Sequence, residues 1–221
     1  MKVNLTILKK CSLFAGILEK DLLILLPHLN AEKRVMEKGA VVFNVGDRPE
    51  HVGVVLSGSV NVVHEDYWGN RTILSVVQSG GIFAESFSYA EAKSLPVSVV
   101  AREDSEILLL DCTRILTTCS SSCAFHTALI RNLMKILANK NIMLTRKMEH
   151  ITKKTTRDKV LSYLSECAVS AGRDTFDIPF NRQELADYLS VDRSALSNSL
   201  CKMRDEVLIE FYKNSFRLLE T

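Results

Sequence analysis

The feature that most constrains the fold is the stretch that follows Cys119-Ser120-Ser121-Ser122 and runs to about Ile151, which contains neither glycine nor proline. A single helix over this stretch would be roughly 45 Å long at about 1.5 Å per residue. One stripe of apolar residues is enough to pack on the chain's own core, so a second stripe predicts a parallel coiled-coil homodimer. The alternative is a long helix buried in a monomer. The two stripes at helical spacing are Leu129, Leu133, Ile136 and Met143, and Ile130, Leu137, Leu144 and Met148.

The region before this helix has the pattern of a β-domain. Residues 5–29 are first predicted to be helical and to end at Pro27, because apolar residues recur there at helical spacing. From Val35 to Leu110, short apolar runs then alternate with turns that contain glycine. Strands separated by turns about every ten residues predict a compact all-β sandwich or barrel.

The region after the long helix begins with a polar segment. Residues 152–156 are interpreted as a hinge, and Thr156 is predicted to cap a helix over 157–170. Gly172 is expected to end that helix. Its predicted inward side chains are Val160, Leu161, Leu164 and Ala168.

A second pair of helices is predicted at 182–189 and 193–204. Asn181 can cap the first helix, with Glu184 completing a capping box, and Asp192 can cap the second. The small side chain of Ala186 permits a close crossing of the two helices. The residues predicted to face inward are Leu185, Ala186, Leu189, Leu196, Leu200 and Met203.

This helical pair predicts a helix-turn-helix that binds double-stranded DNA. The outer face of its second helix carries short polar or bidentate side chains near the amino-terminal end, as entry into the major groove requires. Arg193 and Asn198 are predicted to contact base edges, and Ser194, Ser197 and Lys202 to hold phosphates. The alternative is an amphipathic helical pair that binds nothing.

The last residues, 208–219, predict a β-hairpin. Apolar residues lie on both sides of Lys213-Asn214, which is a typical turn. A hairpin directly after a helix-turn-helix is interpreted as the wing of a winged helix-turn-helix.

The charge distribution indicates an anionic partner. The chain has 221 residues and a net charge of +2. Residues 131–159 hold nine Lys or Arg residues against Glu149 and Asp158, a local charge of +7, so the rest of the chain carries −5. A basic segment on an otherwise acidic protein suits an anionic partner. The alternative is a solvated helix face.

Composition disfavours several other classes of protein. No run of about 18 apolar residues is present, so we expect no membrane span. The amino-terminal residues lack the apolar core of a secretory signal, and the six cysteines are scattered, which predicts reduced thiols and a cytoplasmic location. No nucleophile–base pair, phosphate loop or convincing metal motif predicts an enzyme.

Two sets of motifs carry a resemblance to a known family. In the β-domain, the spaced glycines lead to the segment 80–87, GGIFAESF, which is similar to the phosphate-binding cassette of cyclic-nucleotide-binding domains. In the helix-turn-helix, the motifs are 181–189, NRQELADYL, and 192–197, DRSALS. In this order, joined by a long helix, they resemble the Crp/Fnr superfamily of bacterial regulators, which includes catabolite activator proteins.

The resemblance implies an α+β fold with three parts. These are a double-stranded β-helix of jelly-roll or cupin-like type that senses an effector (1–118), a dimerisation helix (119–151) and a winged helix-turn-helix (152–221). It implies a homodimer, a double-stranded DNA operator, RNA polymerase and a small-molecule effector as partners, and it gives Arg182 a phosphate contact. The complete set of predicted DNA-binding residues is Arg182, Gln183, Asp192, Arg193, Ser194, Ser197, Asn198 and Lys202.

Departures from the family pattern bear on the effector. Cyclic-AMP binders carry a glutamate in the cassette, matched here by Glu85, and an arginine ten residues later, where this chain has Leu95 followed by Pro96. An apolar side chain cannot replace a guanidinium that faces a phosphate. Cyclic AMP is therefore disfavoured, and the effector is unknown. Its predicted pocket is formed by Gly81, Phe83, Glu85, Ser86, Leu95, Pro96 and Val97.

Two further departures concern metal clusters and the wing. Iron–sulfur members of the family use several cysteines near the amino terminus, where only Cys11 lies. Many relatives also have glycine at the position of Val207, and because valine disfavours a left-handed helix stop, we expect this turn to differ.

A cysteine–histidine group lies where the β-domain meets the long helix. Cys119, Cys123 and His126 are candidates to ligate heme iron or zinc, or to sense redox state together with Cys112. The alternative is structural, because buried free cysteines are common. Tyr67-Trp68 and Tyr89 could stack on a ligand or simply pack.

The sequence as a whole predicts a homodimeric, sequence-specific transcription regulator controlled by an unidentified effector. Two alternatives stay open: a heme, metal or redox sensor that uses Cys119, Cys123 and His126, and a small-molecule-binding module that acts on a protein partner.

Overall fold

The computed structural model describes residues 5–69, 71–116 and 124–219. The chain divides into two compact units, residues 1–138 and 139–221, and each is described by itself. The three-part division at 118/119 and 151/152 stays a prediction. Within the described ranges, no helix is both long enough and apolar enough to cross a membrane.

The first unit contains two four-stranded antiparallel sheets with the strand orders β1-β8-β3-β6 and β2-β7-β4-β5. Consecutive strands such as β3 and β4 lie in different sheets, as in a jelly roll. The predicted N-terminal β-roll is therefore confirmed. The strands are β1 (Glu32–Met36), β2 (Val41–Phe43), β3 (His51–Ser57), β4 (Ser59–Glu65), β5 (Arg71–Gln78), β6 (Ile82–Phe83), β7 (Ser98–Ala101) and β8 (Ser105–Asp111).

Strand β3 is buried on both faces because it lies between two cores. Val52, Val54 and Leu56 belong to the core shared with the helices of this unit, and Val55 belongs to the core inside the roll. Successive side chains of a strand point to opposite faces, which explains the alternation. A Cβ atom on Gly53 would lie only 2.0 Å from the Phe83 ring. Glycine at this position therefore lets the Phe83 ring occupy the interior of the roll.

The amino-terminal helical prediction was partly wrong. Residues 5–29 form two separate α-helices, α1 (Leu5–Lys10) and α2 (Glu19–His28), with a short 3-10 helix (Ser12–Phe14) between them. Gly16 has a φ of +77°, which no right-handed helix can contain. Pro27 lies inside α2, which continues to His28.

The expectation of an all-β region from Val35 to Leu110 was also incomplete. A short helix, α3 (Glu85–Tyr89), follows β6. Ala84 adopts a φ of +66° that turns the chain out of the strand, and the Ser88 amide donates to the Ala84 carbonyl at 3.1 Å to close the turn.

The long helix is confirmed where the structure describes it. Two helices, α4 (Cys112–Leu116) and α5 (Ala124–Ile151), follow β8. Leu129 and Leu133 are fully buried in the first unit. Farther along α5, apolar side chains are more than half exposed: Met134, Ile142, Met143, Leu144 and Met148. Of the first predicted stripe, Leu129 and Leu133 are packed but Met143 is not, so the helix carries apolar surface beyond its packed side, and the assignment of two stripes is only partly correct.

The second unit is the winged helix-turn-helix that the sequence predicted. Its inward residues form one core, and Gly172 ends α6 as expected. Two details differ: Thr155 rather than Thr156 caps α6, and the unpredicted strand β9 pairs with β11, giving a three-stranded sheet. The elements after α5 are α6 (Thr156–Ala171), β9 (Thr175–Asp177), α7 (Arg182–Leu189), α8 (Arg193–Asp205), β10 (Ile209–Tyr212) and β11 (Ser215–Leu218).

The end of α8 forms a left-handed stop despite having valine there. Val207 has a φ of +59°. The Val207 amide donates to the Arg204 carbonyl and the Leu208 amide donates to the Met203 carbonyl, both at 2.9 Å. This is the hydrogen-bond pattern of a Schellman motif, which usually has glycine at this position. The expectation that valine would change this turn was therefore wrong, and the branched side chain is held in a strained conformation.

Replacing Val207 by glycine should stabilise the second unit. Val207 is 65% exposed, so little packing is lost, and relief of the strain should raise the free energy of unfolding by about 1 kcal/mol. Urea denaturation followed by circular dichroism measures this. The matched control is Val169→Gly in α6, another exposed valine but with helical geometry, which should be destabilising. A Val207→Gly variant less stable than the parent would contradict the assignment of strain.

Candidate nucleic-acid interface

The first helix of the pair, α7, begins with a complete capping box. The Glu184 amide donates to Asn181 Oδ1 at 3.0 Å, and the Asn181 amide donates to Glu184 Oε2 at 2.7 Å. Gln183, a predicted DNA contact, is exposed and donates to Asp187 Oδ1 at 2.9 Å. The reciprocal cap satisfies two amides and fixes where α7 starts.

The second helix, α8, is held against α7 by its apolar side. Leu196, Leu200 and Met203 are buried, and they share a core with the inward side chains of α7. The short turn between the two helices is held by a residue of α6, because Lys159 Nζ donates to the carbonyl oxygens of Leu189 and Ser190, each at 3.4 Å. These contacts determine which side of α8 faces the solvent.

The amino-terminal end of α8 is capped by Asp192. Its carboxylate accepts hydrogen bonds from the amides of Ser194 and Ala195 at 2.8 and 3.1 Å, and from the Ser194 hydroxyl. The bond from the Ser194 hydroxyl, followed by the two amide bonds, holds the pKa of Asp192 below its usual value. Asp192 and Ser194 therefore have a structural role at this helix end, and their contact with DNA stays a prediction.

The exposed face of α8 carries the predicted base-contacting residues. Arg193, Asn198 and Lys202 are exposed, and none of these three side chains has a hydrogen bond or ion pair within the described ranges. Ser197 is half-buried, and its hydroxyl donates to the Arg193 carbonyl at 3.0 Å. Cys201, which sequence analysis did not select, is an exposed free cysteine on the same face, one turn after Ser197. Its position four residues after Ser197 was the sequence signal that could have placed it on this face.

Arg182 has a different environment from the other predicted contacts. Its guanidinium lies 4.9 Å from the ring centre of Phe211 and 5.0 Å from that of Phe216. Burial lowers the pKa of this guanidinium, and its Nη1 atom is buried without a hydrogen-bond partner in the part of the chain described. The side chain thus joins the start of α7 to the wing, and the predicted phosphate contact stays a prediction.

The wing is the hairpin of β10 and β11, paired in register from Ile209–Leu218 to Tyr212–Ser215. Lys213 in its turn is exposed and lies 5.5 Å from the ring centre of Tyr212. The turn at Lys213-Asn214 is as predicted, and it presents a cation at the tip.

Several cations in the part of the basic segment that lies in the second unit, residues 139–159, have partners within that unit. Arg146 forms an ion pair with Glu166 at 3.0 Å, and Arg157 forms one with Glu206. Lys159 bonds the turn between α7 and α8. The local charge of +7 therefore does not form one free cationic surface.

In the β-roll, the predicted effector residues occupy two kinds of position. Phe83, Leu95 and Val97 are buried, and Phe83 and Leu95 belong to the core inside the roll. Ser86 and Pro96 are exposed, and Gly81 is half-buried, where a Cβ would lie 2.6 Å from Val77. Glu85 is buried and accepts a hydrogen bond from the Ser86 hydroxyl at 3.2 Å. An apolar interior thus adjoins one buried carboxyl group, and the pocket stays a prediction.

The structure describes only some of the residues of the candidate cysteine–histidine site. Cys119 and Cys123 lie outside the described residues. His126 is buried, and its Nε2 donates to the Ile115 carbonyl at 2.9 Å. Cys112 contacts the Pro49 carbonyl at 3.8 Å, and burial raises the pKa of its thiol. Among the described residues, no group of three or more His, Cys, Asp or Glu side chains could hold a metal ion.

The structure also describes the three aromatic residues that could stack on a ligand. Tyr67 and Trp68 are 96% and 82% exposed and form an edge-to-face pair with ring centres 5.9 Å apart. Tyr89 is half-buried, and desolvation raises the pKa of its hydroxyl.

Family models match both parts of the chain. Residues 33–122 match the cyclic nucleotide-binding domain, and residues 158–221 match the Crp-like helix-turn-helix domain. No curated protein matches the chain.

Several solved structures are similar over most of the chain. The c-di-GMP responsive global regulator CLP of Xanthomonas campestris has 19% identity and a TM-score of 0.58, covering 91% of this chain and 99% of its own. DNR from Pseudomonas aeruginosa has 21% identity and a TM-score of 0.51, covering 100% and 96%. CprK, complexed with OCPA, has 14% identity and a TM-score of 0.65, covering 88% of each chain. These similarities show the fold.

Replacing Arg182 by alanine should destabilise the second unit by about 1 kcal/mol. A cation over an aromatic ring contributes roughly 0.5–2 kcal/mol, and removal of a buried, unpaired N–H offsets part of that loss. Thermal unfolding measures the change. The control is Arg193→Ala, which removes an exposed side chain without a partner and should change stability by less than about 0.5 kcal/mol. Equal stabilities of the two variants would contradict the stacking role.

Proposed function

This chain belongs to the Crp/Fnr superfamily of DNA-binding transcription regulators, and we propose that it binds a pseudo-palindromic operator as a homodimer. The observation that carries the proposal is α8, a helix buried on one side whose other side presents Arg193, Asn198 and Lys202 without partners among the described residues. Bidentate side chains on an exposed helix suit the edges of bases in the major groove. Members of this superfamily are regulators rather than enzymes.

The homodimer is supported by exposed apolar side chains of α5 such as Met134 and Met148, which lie fourteen residues apart on one side of the helix. A two-fold dimer would place two copies of α8 in successive major grooves, about 34 Å apart. An effector would shift the population between arrangements that bind DNA and arrangements that do not, with the change located at residues 152–156. RNA polymerase as a partner and a cytoplasmic location belong to the same proposal.

The proposed effector is not cyclic AMP. Leu95, at the position where cyclic-AMP binders have arginine, is 2% exposed and packs inside the roll. A cyclic phosphate beside that side chain would lose its water without gaining a cation. The metal or redox alternative is neither supported nor opposed by His126, because metal-bound histidines also donate their second ring nitrogen to a backbone carbonyl, as His126 Nε2 does to Ile115.

Arg193 and Lys202 should contribute differently to DNA binding. After an operator has been selected from random duplexes, Arg193→Ala should reduce discrimination against random DNA by roughly 1–3 kcal/mol per half-site, because a bidentate base contact is lost. Lys202→Ala should weaken binding to all sequences alike and lower the salt dependence, because a phosphate contact is lost. Fluorescence anisotropy at several salt concentrations measures both.

Equal loss of operator and random-DNA binding in Arg193→Ala would contradict its role as a base contact. The parent chain could also show no preferred DNA sequence under conditions in which it is folded and dimeric. That result would contradict the proposal of a sequence-specific regulator and would favour a module that acts on a protein partner.

A further inference from the structure

A cavity of about 300 Å³ lies in the second unit, between the last turns of α5 and helices α6 and α7. We call it the hinge pocket. This volume is at the lower end of the roughly 300–1,000 Å³ of small-molecule sites. The side chains that matter here are Met143, Leu144, Lys147, Tyr163, Cys167 and Tyr188.

The inner wall of the hinge pocket is aromatic and uncharged. The rings of Tyr163 and Tyr188 have their centres 5.4 Å apart. Burial raises the pKa of both phenols and of the Cys167 thiol, so all three stay neutral near neutral pH. Met143 and Leu144 on α5 complete an apolar lining and are 69% and 62% exposed. Such a wall suits a flat, apolar body.

The rim of the pocket carries an uncompensated positive charge. Arg146 forms an ion pair with Glu166 at 3.0 Å, so these charges balance each other. Lys147 is half-buried, with Nζ 5.4 Å from the centre of the Tyr188 ring, and it forms no ion pair within the described ranges. A partly desolvated ammonium group beside an apolar cavity favours an anionic group on a ligand.

We infer that the hinge pocket binds a small organic anion with a flat, apolar body, such as an aryl carboxylate or sulfonate. The body lies against Tyr163 and Tyr188, and the anionic group contacts Lys147. This site is separate from the pocket predicted in the β-roll.

A ligand in this pocket is also placed to act on the joint between α5 and α6. His150, 2% exposed, lies in the last turn of α5. Its Nε2 donates to Glu166 Oε2 at 2.7 Å, and its Nδ1 lies 2.9 Å from the Ser162 hydroxyl. Glu166 therefore lines the pocket and also ties α5 to α6. An effect of the ligand on operator affinity rests on the proposed function, whereas binding itself does not.

The test uses two fluorescent probes that differ only in charge: 8-anilinonaphthalene-1-sulfonate and the neutral N-phenyl-1-naphthylamine. In the full-length protein, Lys147→Gln should weaken binding of the sulfonate about 5- to 10-fold, the effect of one charge-assisted contact near 1–1.4 kcal/mol, and leave the neutral probe unchanged. Lys135→Gln, which removes an exposed lysine from the same helix, should change neither affinity. Ser170→Trp, at the exposed pocket rim, should weaken both probes by filling the cavity.

The inference is overturned if sulfonate binding is unchanged in Lys147→Gln, because the anionic group then does not contact Lys147, or if it is unchanged in a folded Ser170→Trp, because the dye then binds elsewhere. It is also overturned if saturating sulfonate converts dimers to monomers by light scattering, since a second copy of the chain then covers this surface. Operator binding by the parent and by Lys147→Gln is measured separately. If only the pocket inference fails, the parent protein still prefers its operator over random DNA. If only the proposed function fails, the probe affinities still change as predicted.

Discussion

The contact between α7 and α8 is the interaction on which the DNA-binding half of the molecule depends. Burying Leu196, Leu200 and Met203 contributes roughly 1.5–3 kcal/mol per side chain, and it also fixes the rotation of α8 about its axis. A rotation of one residue, about 100°, would replace polar side chains on the exposed face with apolar ones. The capping groups at Asn181 and Asp192 fix where each helix begins. The proposed specificity of α8 for bases would thus be a consequence of apolar packing on the opposite side of the helix.

The parts of the fold that sequence analysis predicted well are those set by neighbours in the chain. Both caps of the helix-turn-helix join residues two or three positions apart, and the wing turn lies between its own strands. The long helix follows from a local pattern as well. The choice between Thr155 and Thr156 as the cap of α6 could not be made, because both are threonines and the hydrogen bond to Asp158 decides between them.

The features that sequence analysis missed depend on distant residues. Strand β9 is three residues long and is a strand only because it pairs with Ser215–Arg217. Arg182 stacks on two rings about thirty positions later in the chain, and sequence analysis did not predict this contact. The hinge pocket likewise combines α5, α6 and α7. No periodicity in the chain reports such pairings, because propensity is local and tertiary contacts are not.

The filled interior of the β-roll has a kinetic consequence. Phe83 is 2% exposed, lies edge-on to Phe43 with ring centres 5.9 Å apart, and occupies the space left by Gly53. If the proposed effector binds inside the roll, the Phe83 ring has to move to make room for it, and a close-packed interior opens only transiently. The association rate of the effector would therefore be limited by the frequency of opening rather than by diffusion, and would level off as concentration rises. Under the proposed function, such a sensor would respond slowly to brief pulses of effector and would integrate sustained exposure.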